Sequence, residues 1–389
     1  MQTSRSERIA QLFTPLTVRG LTVRNRFVMS PMNRNAAPNG VPSDAFAQYL
    51  RRRVDGEVGL ITAGGIGVDS PASCGGGHGR ACAVPLLHGD EPLAAWKRLV
   101  DLIHDGGGKL AGQLWHMGVM YLPGTGYHAD AKAARPSGTW GPADRRSMME
   151  PEHVAHLDVP DEALTDAEIV EIIAGYGRSA RNAKALGFDA ITVHGGNGYL
   201  PDSFMWEETN LRTDRWGGNR RERTRFGVEI VKTLRRQVGD DVPISWRFTQ
   251  WKHQDRDAKL AHTPEELEEM LGPLADAGVD IFDAAQFKFD TPEFAGSPLN
   301  LAGWAKKITG KLTMTVGGVG LRNAHFDPEA PQPQASTDNT DALLTRFERG
   351  EFDFIALGRA LLNDAQFVHK IHTGAALKEW DPAATRSMN

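Results

Sequence analysis

Three polar side chains lie close together in Val193-His194-Gly195-Gly196-Asn197-Gly198-Tyr199. His194 and Asn197 can both donate hydrogen bonds to one carbonyl oxygen, and Tyr199 brings a phenolic proton nearby. A lone histidine at the end of an apolar run is more often structural. A histidine, an amide and a phenol on one glycine-rich turn could polarise a carbonyl and supply a proton. A second constellation has different chemistry. Val316-Gly317-Gly318-Val319-Gly320 and Ala356-Leu357-Gly358-Arg359 each close an apolar run. Glycine lets backbone N–H groups approach a phosphate, and a guanidinium can grip it with two parallel hydrogen bonds. Either motif alone could be a tight turn with a surface arginine; together, at matching positions, they point to a phosphate.

The elements that must position these groups are legible as an alternation. Short, β-branched apolar runs fall at residues 27–32, 58–64, 109–116, 189–195, 243–249, 281–285, 312–319 and 352–357. Their nearly continuous hydrophobicity predicts parallel strands covered by helices. Helical spacing separates them. Thr165-Asp166-Ala167-Glu168 is a capping box, Thr263-Pro264-Glu265-Glu266 reads as a second with proline at the first helical position, and residues 91–104 and 221–238 are amphipathic. Eight strands alternating with helices predict an α/β fold, either a closed (β/α)8 TIM barrel or an open doubly wound sheet. Both constellations sit at strand ends, and the loops after strands seven and eight are where barrels bind phosphate, which favours the barrel. Residues 12–26 read as a hairpin that plugs the barrel floor. Gly- and Pro-rich stretches at 121–163 and 321–339, after strands three and seven, would lie on the C-terminal face, the first as a substrate-side excursion. Residues 1–389 are expected to form one domain.

Composition removes several function classes. With 389 residues, 40% hydrophobic, 24% charged and a net charge of −5, the chain is typical of a globular protein with a full core. That charge argues against nucleic acid or an anionic membrane as partner. No G-x-G-x-x-G follows a strand, Gly106-Gly107-Gly108-Lys109 lacks the rest of a P-loop, and no H-E-x-x-H or paired C-x-x-C suggests a metal. Two cysteines, Cys74 and Cys82, can hold neither an iron–sulfur cluster nor a disulfide framework. They are expected to be ordinary thiols, and with no apolar leader among the first ten residues the expected location is the cytoplasm.

At this point the motifs become familiar. Leu12-Phe13-Thr14-Pro15-Leu16, Asn25-Arg26-Phe27, Ser30-Pro31-Met32, Gly112-Gln113-Leu114-Trp115-His116, the turn from His194 to Leu200, Asn210-Leu211-Arg212-Thr213-Asp214-Arg215-Trp216-Gly217-Gly218, Arg223-Thr224-Arg225-Phe226 and Leu357-Gly358-Arg359-Ala360-Leu361-Leu362 occur in the order seen in old yellow enzymes. Over residues 12–367 the chain resembles that family of FMN-dependent ene-reductases; the stretch 194–226 is its most specific part. The resemblance implies tightly bound, non-covalent FMN, with Ser30, Pro31, Met32, Asn33 and Ala63 about the ring and Gln113 on its pyrimidine edge. Arg247 would place positive charge near N1 and the C2 oxygen, and Gly317, Gly318, Gly358 and Arg359 would hold the phosphate. It further implies reduction by NAD(P)H, then hydride transfer to the β-carbon of an electron-poor alkene whose oxygen is held by His194 and Asn197. Tyr199 would supply the α-proton, and Trp115 would line the substrate cavity.

Two departures are visible. Asn33 stands where relatives carry a threonine or cysteine, so the flavin potential could differ, and Gly195-Gly196 replaces a bulkier pair, which predicts a wider or looser turn. Larger relatives carry an iron–sulfur cluster and a second nucleotide domain, an organisation that two isolated cysteines and the short stretch after Arg359 speak against. A competing class is a barrel aldolase or isomerase acting on a phosphorylated substrate without flavin, for which Lys288 would be the modest Schiff-base candidate. Substrate, nicotinamide preference and assembly, monomer or homo-oligomer, stay open.

Overall fold

Strands buried on both faces need apolar runs without alternation, and each of the eight expected runs supplies one. The computed structural model describes residues 4–76, 81–128, 130–142, 145–322, 334–335 and 339–388. Its strands are β1 (Phe27–Met29), β2 (Leu60–Gly67), β3 (Leu110–Trp115), β4 (Ala190–His194), β5 (Ile244–Phe248), β6 (Ile281–Ala285), β7 (Leu312–Val316) and β8 (Phe354–Leu357). Each pairs in parallel with its neighbour in chain order. β8 returns to β1 with Ile355 opposite Phe27 and Leu357 opposite Met29, so the ring closes. The open-sheet alternative is thereby excluded.

Two expected strands run past their ladders. Apart from Ser30, residues 30–32 and 317–319 are apolar or glycine, yet they leave the sheet after Met29 and Val316 and form rim loops instead. β2 carries an irregularity in register between Ala63 and Ile66. The glycines there are required by crowding: a Cβ on Gly64 would lie 2.2 Å from the Pro31 Cβ, and one on Gly65 would lie 2.7 Å from the Trp115 ring.

Helices α1 (Asp44–Asp55), α2 (Asp90–Asp105), α3 (Asp166–Leu186), α4 (Arg225–Val238), α5 (Pro264–Ala277), α6 (Leu301–Thr309) and α7 (Thr340–Glu348) return the chain between strands. Thr165 and Glu168 form the expected reciprocal box on α3. On α5 only half of the expected box exists: the Glu266 N–H donates to Thr263, but the Glu266 carboxylate accepts from the N–H of His262, one residue earlier. The helices bury Trp96, Tyr176, Phe226 and Leu274 against Ile61, Ile191, Trp246 and Phe282 in one continuous core. Each such side chain contributes about 1.5–3 kcal/mol on burial.

The hairpin, Leu16–Val18 against Leu21–Val23, turns at Arg19 and Gly20. Its Val18, Leu21 and Val23 cluster with Val28, Leu60, Ala190, Ile281 and Phe354, which begin their strands or lie near the start. It packs against the N-terminal ends of the strands. After β7, Leu321–Arg322 pairs with Gln334–Ala335, and most of the stretch at 321–339 lies outside the described residues.

The stretch at 121–163 has its own small core, in which Tyr121, Trp140 and Leu157 pack with Trp115 and Met117. Arg135, 2% exposed, ties it together by donating to the carbonyls of Leu157, Val159 and Gly138. Hydrogen bonds from a charged donor are worth about 1.5–3 kcal/mol each. Arg135→Met is therefore expected to make this segment the first site of limited proteolysis while the barrel resists. Cleavage patterns unchanged from the wild type would show that the guanidinium is dispensable.

Candidate active site

The rims of the strands enclose a cavity of about 420 Å³, lined from one side by β1 and β8 and from the other by the loops after β4 and β5. Ser30, Pro31, Met32 and Asn33 enter it from β1, where the chain has left the ladder. Asn33 uses its side-chain oxygen to accept from the Asn35 N–H at 2.9 Å, which leaves its NH2 as the end able to donate. Gly317, Gly318, Gly358 and Arg359 line it as well, and a Cβ on Gly358 would stand 3.7 Å from the Met32 sulfur. Gly317 has a φ of 140° and lies so close to the Gln286 carbonyl that a Cβ would stand 2.5 Å from it. Gly318, at φ 68°, continues the turn. Arg359 begins the short helix Arg359–Asn363, and burial lowers its pKa from the ordinary arginine value.

β4 ends at His194, opposite Arg247 at the end of β5. Arg247 is buried; its Nε donates to Asp283 Oδ2 at 2.7 Å and one Nη to Ser30 at 3.4 Å. Asp283 was not anticipated as a site residue. Its signal is a carboxylate in the middle of the apolar Ile281-Phe282-Asp283-Ala284-Ala285 run. Burial pushes its pKa up and Arg247 pulls it down.

The turn after β4 brings the three polar groups together. The His194 and Tyr199 rings lie 4.7 Å apart, edge to face, and Trp115 meets Tyr199 at 5.1 Å in the same manner. Asn197, mostly buried, takes a left-handed φ of 64° that asparagine tolerates better than most residues. The expectation of a looser turn is not met. A Cβ on Gly195 would stand 2.3 Å from the Trp246 indole, and one on Gly196 2.9 Å from the Thr249 nitrogen. The glycines make room for packed neighbours and the turn is tight.

Burial lowers the His194 pKa well below the usual 6.5, with Arg247 and His253 adding to it, so the imidazole is neutral. Its Nδ1 is buried with no partner. Burial pushes Tyr199 up to about 12, so it keeps its proton. His253, lowered to about 4 by burial, also faces Tyr199, at 5.5 Å between rings. It was missed in the sequence because a histidine just past a strand reads as a surface residue.

Three anticipated residues stand outside the lining of this cavity: Ala63, Gln113 and Trp115. Gln113 is nevertheless close behind it, since its Oε1 and the Pro31 Cβ crowd the same point above Gly64, and its Nε2 is buried without a partner. Lys288 is exposed and does not line the cavity, and no group of metal ligands occurs among the described residues. Both observations count against an aldolase.

A family model described as NADH:flavin oxidoreductase / NADH oxidase family matches residues 11–378. The chain belongs to that family. The resemblance to old yellow enzymes is thus borne out, and the fold agrees: the old yellow enzyme homologue of Zymomonas mobilis superposes with a TM-score of 0.76 at 22% identity, over 97% of this chain and 96% of that one. Among relatives, a metal reductase of Desulforamulus reducens is 29% identical over 93% of this chain and 49% of its own length, so the chain spans about half of that protein. A 12-oxophytodienoate reductase 7 of Oryza sativa subsp. japonica is 34% identical over 60% of this chain and 57% of its own.

FMN is the cofactor of this family and NAD(P)H its reductant. The donor set here fits FMN. A glycine-lined wall with a guanidinium suits its phosphate, and the unpartnered Gln113 amide and the Arg247 cation suit the polar edge of its ring system. Asp283→Asn removes the negative charge beside Arg247 at constant shape. It is expected to raise the flavin midpoint potential by on the order of 30 mV, equivalent to about 1.4 kcal/mol for two electrons. A potential unchanged or lowered in a redox titration would show that this carboxylate does not temper Arg247.

Proposed function

We propose that this chain reduces the activated C=C bond of α,β-unsaturated carbonyl or nitro compounds at the expense of NAD(P)H. The observation that carries the reading is the convergence of His194, Asn197 and Tyr199 on one rim of the cavity that Arg247, Gly317, Gly318, Gly358 and Arg359 line elsewhere. FMN, when bound, would supply the two-electron redox chemistry that couples nicotinamide to alkene.

The protein's own groups do the rest. Pro31 and Met32 would wall the ring from the cavity lining, while Ala63 and Gln113, outside that lining, would add a ring contact and a partner for its pyrimidine edge. Arg247 would stabilise negative charge there, and Gly317, Gly318, Gly358 and Arg359 would hold the phosphate. His194, kept neutral by burial, and Asn197 each donate to the substrate oxygen. Those bonds strengthen as charge develops on that oxygen, so they favour the transition state over the bound substrate. Tyr199 then gives its proton to the α-carbon, and Trp115 buttresses the phenol edge-on. The segment 121–163, within one domain spanning 1–389, sets substrate choice. The two free, buried cysteines and the net charge of −5 support a cytoplasmic enzyme acting on small molecules rather than on nucleic acid or membranes. No helix among the described residues is long and apolar enough to cross a bilayer.

Tyr199→Phe should leave reduction of the flavin by NADPH nearly intact and slow its reoxidation by an enone about 100-fold, the usual worth of a positioned proton donor. If stopped-flow traces showed both half-reactions falling equally, the proton-donor role would be lost. The wild-type oxidative rate should also be flat from about pH 6 to 9, because His194 is already neutral there and Tyr199 still protonated. It should decline only as Tyr199 ionises toward 12, and that alkaline limb should vanish in Tyr199→Phe.

A further inference from the structure

Behind the turn that carries Asn197 and Tyr199 lies an ion pair with no contact to solvent. Lys252 Nζ stands 2.8 Å from Asp202 Oδ1, and both side chains are 0% exposed. Taking two charges out of water costs several kcal/mol each, and such a pair is often no more stabilising than two apolar side chains of the same size. Bulk stability therefore does not explain it.

Its connections do. The second carboxylate oxygen of Asp202 accepts the Gly198 N–H at 2.7 Å. Gly198, at φ 81°, follows Asn197 at φ 64°, so two left-handed residues stand in succession between the amide and the phenol of the site. A charge-assisted hydrogen bond to the peptide joining them fixes how that peptide is turned, and with it the directions of both side chains. Lys252 belongs to the loop after β5 and bridges to Asn197 through the backbone, while the following His253 donates its N–H to the Asn197 carbonyl at 3.1 Å. On its other side, the Asn197 N–H donates to Thr249 Oγ1 at 2.8 Å. Burial alone would push Asp202 toward its neutral form, and Lys252 is the opposing influence. The lysine thus works against neutralisation of a carboxylate held in a dry place, and through it favours one backbone hydrogen bond, that from Gly198.

We propose that Asp202 and Lys252 are positioning residues for the reaction: by clamping the Gly198 N–H they hold Asn197 and Tyr199 in the geometry that grips the substrate oxygen and delivers the proton. The inference rests on the functional reading above, and it adds two residues that touch neither substrate nor cofactor.

The test uses the FMN-loaded full chain in three forms: wild type, Asp202→Leu/Lys252→Met, and Asp202→Asn/Lys252→Met. The first double variant replaces the pair by apolar groups of similar size; the second restores an uncharged acceptor for Gly198. Four readouts are compared: thermal midpoint, FMN affinity, affinity for cyclohexanone as a non-reducible ketone, and the rate at which cyclohexenone reoxidises dithionite-reduced enzyme. The apolar variant should keep its thermal midpoint and FMN affinity, bind the ketone about tenfold more weakly and reoxidise about 100-fold more slowly, the scale expected for a misplacement near 1 Å. The amide variant should recover most of both losses. An apolar variant equal to the wild type in ketone affinity and reoxidation overturns the proposal. So does a parallel loss of all four readouts without recovery by the amide, which would make the pair a general support of the fold. A wild type that is yellow and binds the ketone but is not reoxidised by cyclohexenone would sink the ene-reductase reading instead. The proposal would then stand or fall on ketone affinity in the two variants.

Discussion

Closing eight parallel strands into a ring decides which residues can meet. Every strand runs the same way, so all C-terminal ends share one rim, and only residues at such an end or in the loop that follows it can reach the cavity there. His194 and Arg247 face one another because β4 and β5 pair in that register, and Arg247 reaches Asp283 because β5 and β6 do. A slip of one residue in either pair would turn these side chains to the other face of the sheet. The hairpin at the floor adds to this constraint. By filling the opposite end with Val18, Leu21 and Val23 it leaves the C-terminal rim as the open end.

The cavity so formed is electrostatically graded. Arg247 and Arg359 place positive charge along the walls, and Asp283 offsets one of them from behind. The part formed by His194, Tyr199 and His253 carries no net charge: burial keeps both imidazoles neutral and the phenol protonated. Hydrogen-bond donors without charge suit an oxygen that becomes negative only during reaction, since they need little reorganisation when that charge appears. The same dryness that sets these protonation states also strengthens each bond they make.

How much of this was legible in the sequence follows from what kind of signal each feature leaves. The eight strands were readable because full burial writes itself as an unbroken apolar run. Their ends were less so, because Pro31, Met32 and residues 317–319 are apolar or glycine like the strands they follow, and they leave the ladder only to line the cavity. The α3 box was visible in four letters, whereas the α5 box failed in one arm because His262 offered Glu266 a nearer N–H. The polar turn at 194–199 was legible because its residues are adjacent. Asp283, His253, Asp202 and Lys252 were not, because their partners come from other strands or loops, and a polar residue without a local partner reads as surface.

The turn after β4 shows why position cannot be left to the turn alone. Its glycines at 195, 196 and 198 let Trp246, Thr249 and Gln254 pack against the backbone where side chains would clash. Glycine also gives that backbone more freedom to lose on folding than any other residue. A loop rich in glycine is close-fitting but not self-specifying, so its shape must be imposed from outside. The imposed contacts come from the loop after β5: Thr249 holds the Asn197 N–H, His253 the Asn197 carbonyl, and Lys252 acts on the Gly198 N–H through Asp202. The two loops are therefore one structural unit, and a substitution in residues 249–254 alters the site as surely as one in 194–199, although none of those residues need touch the reacting atoms.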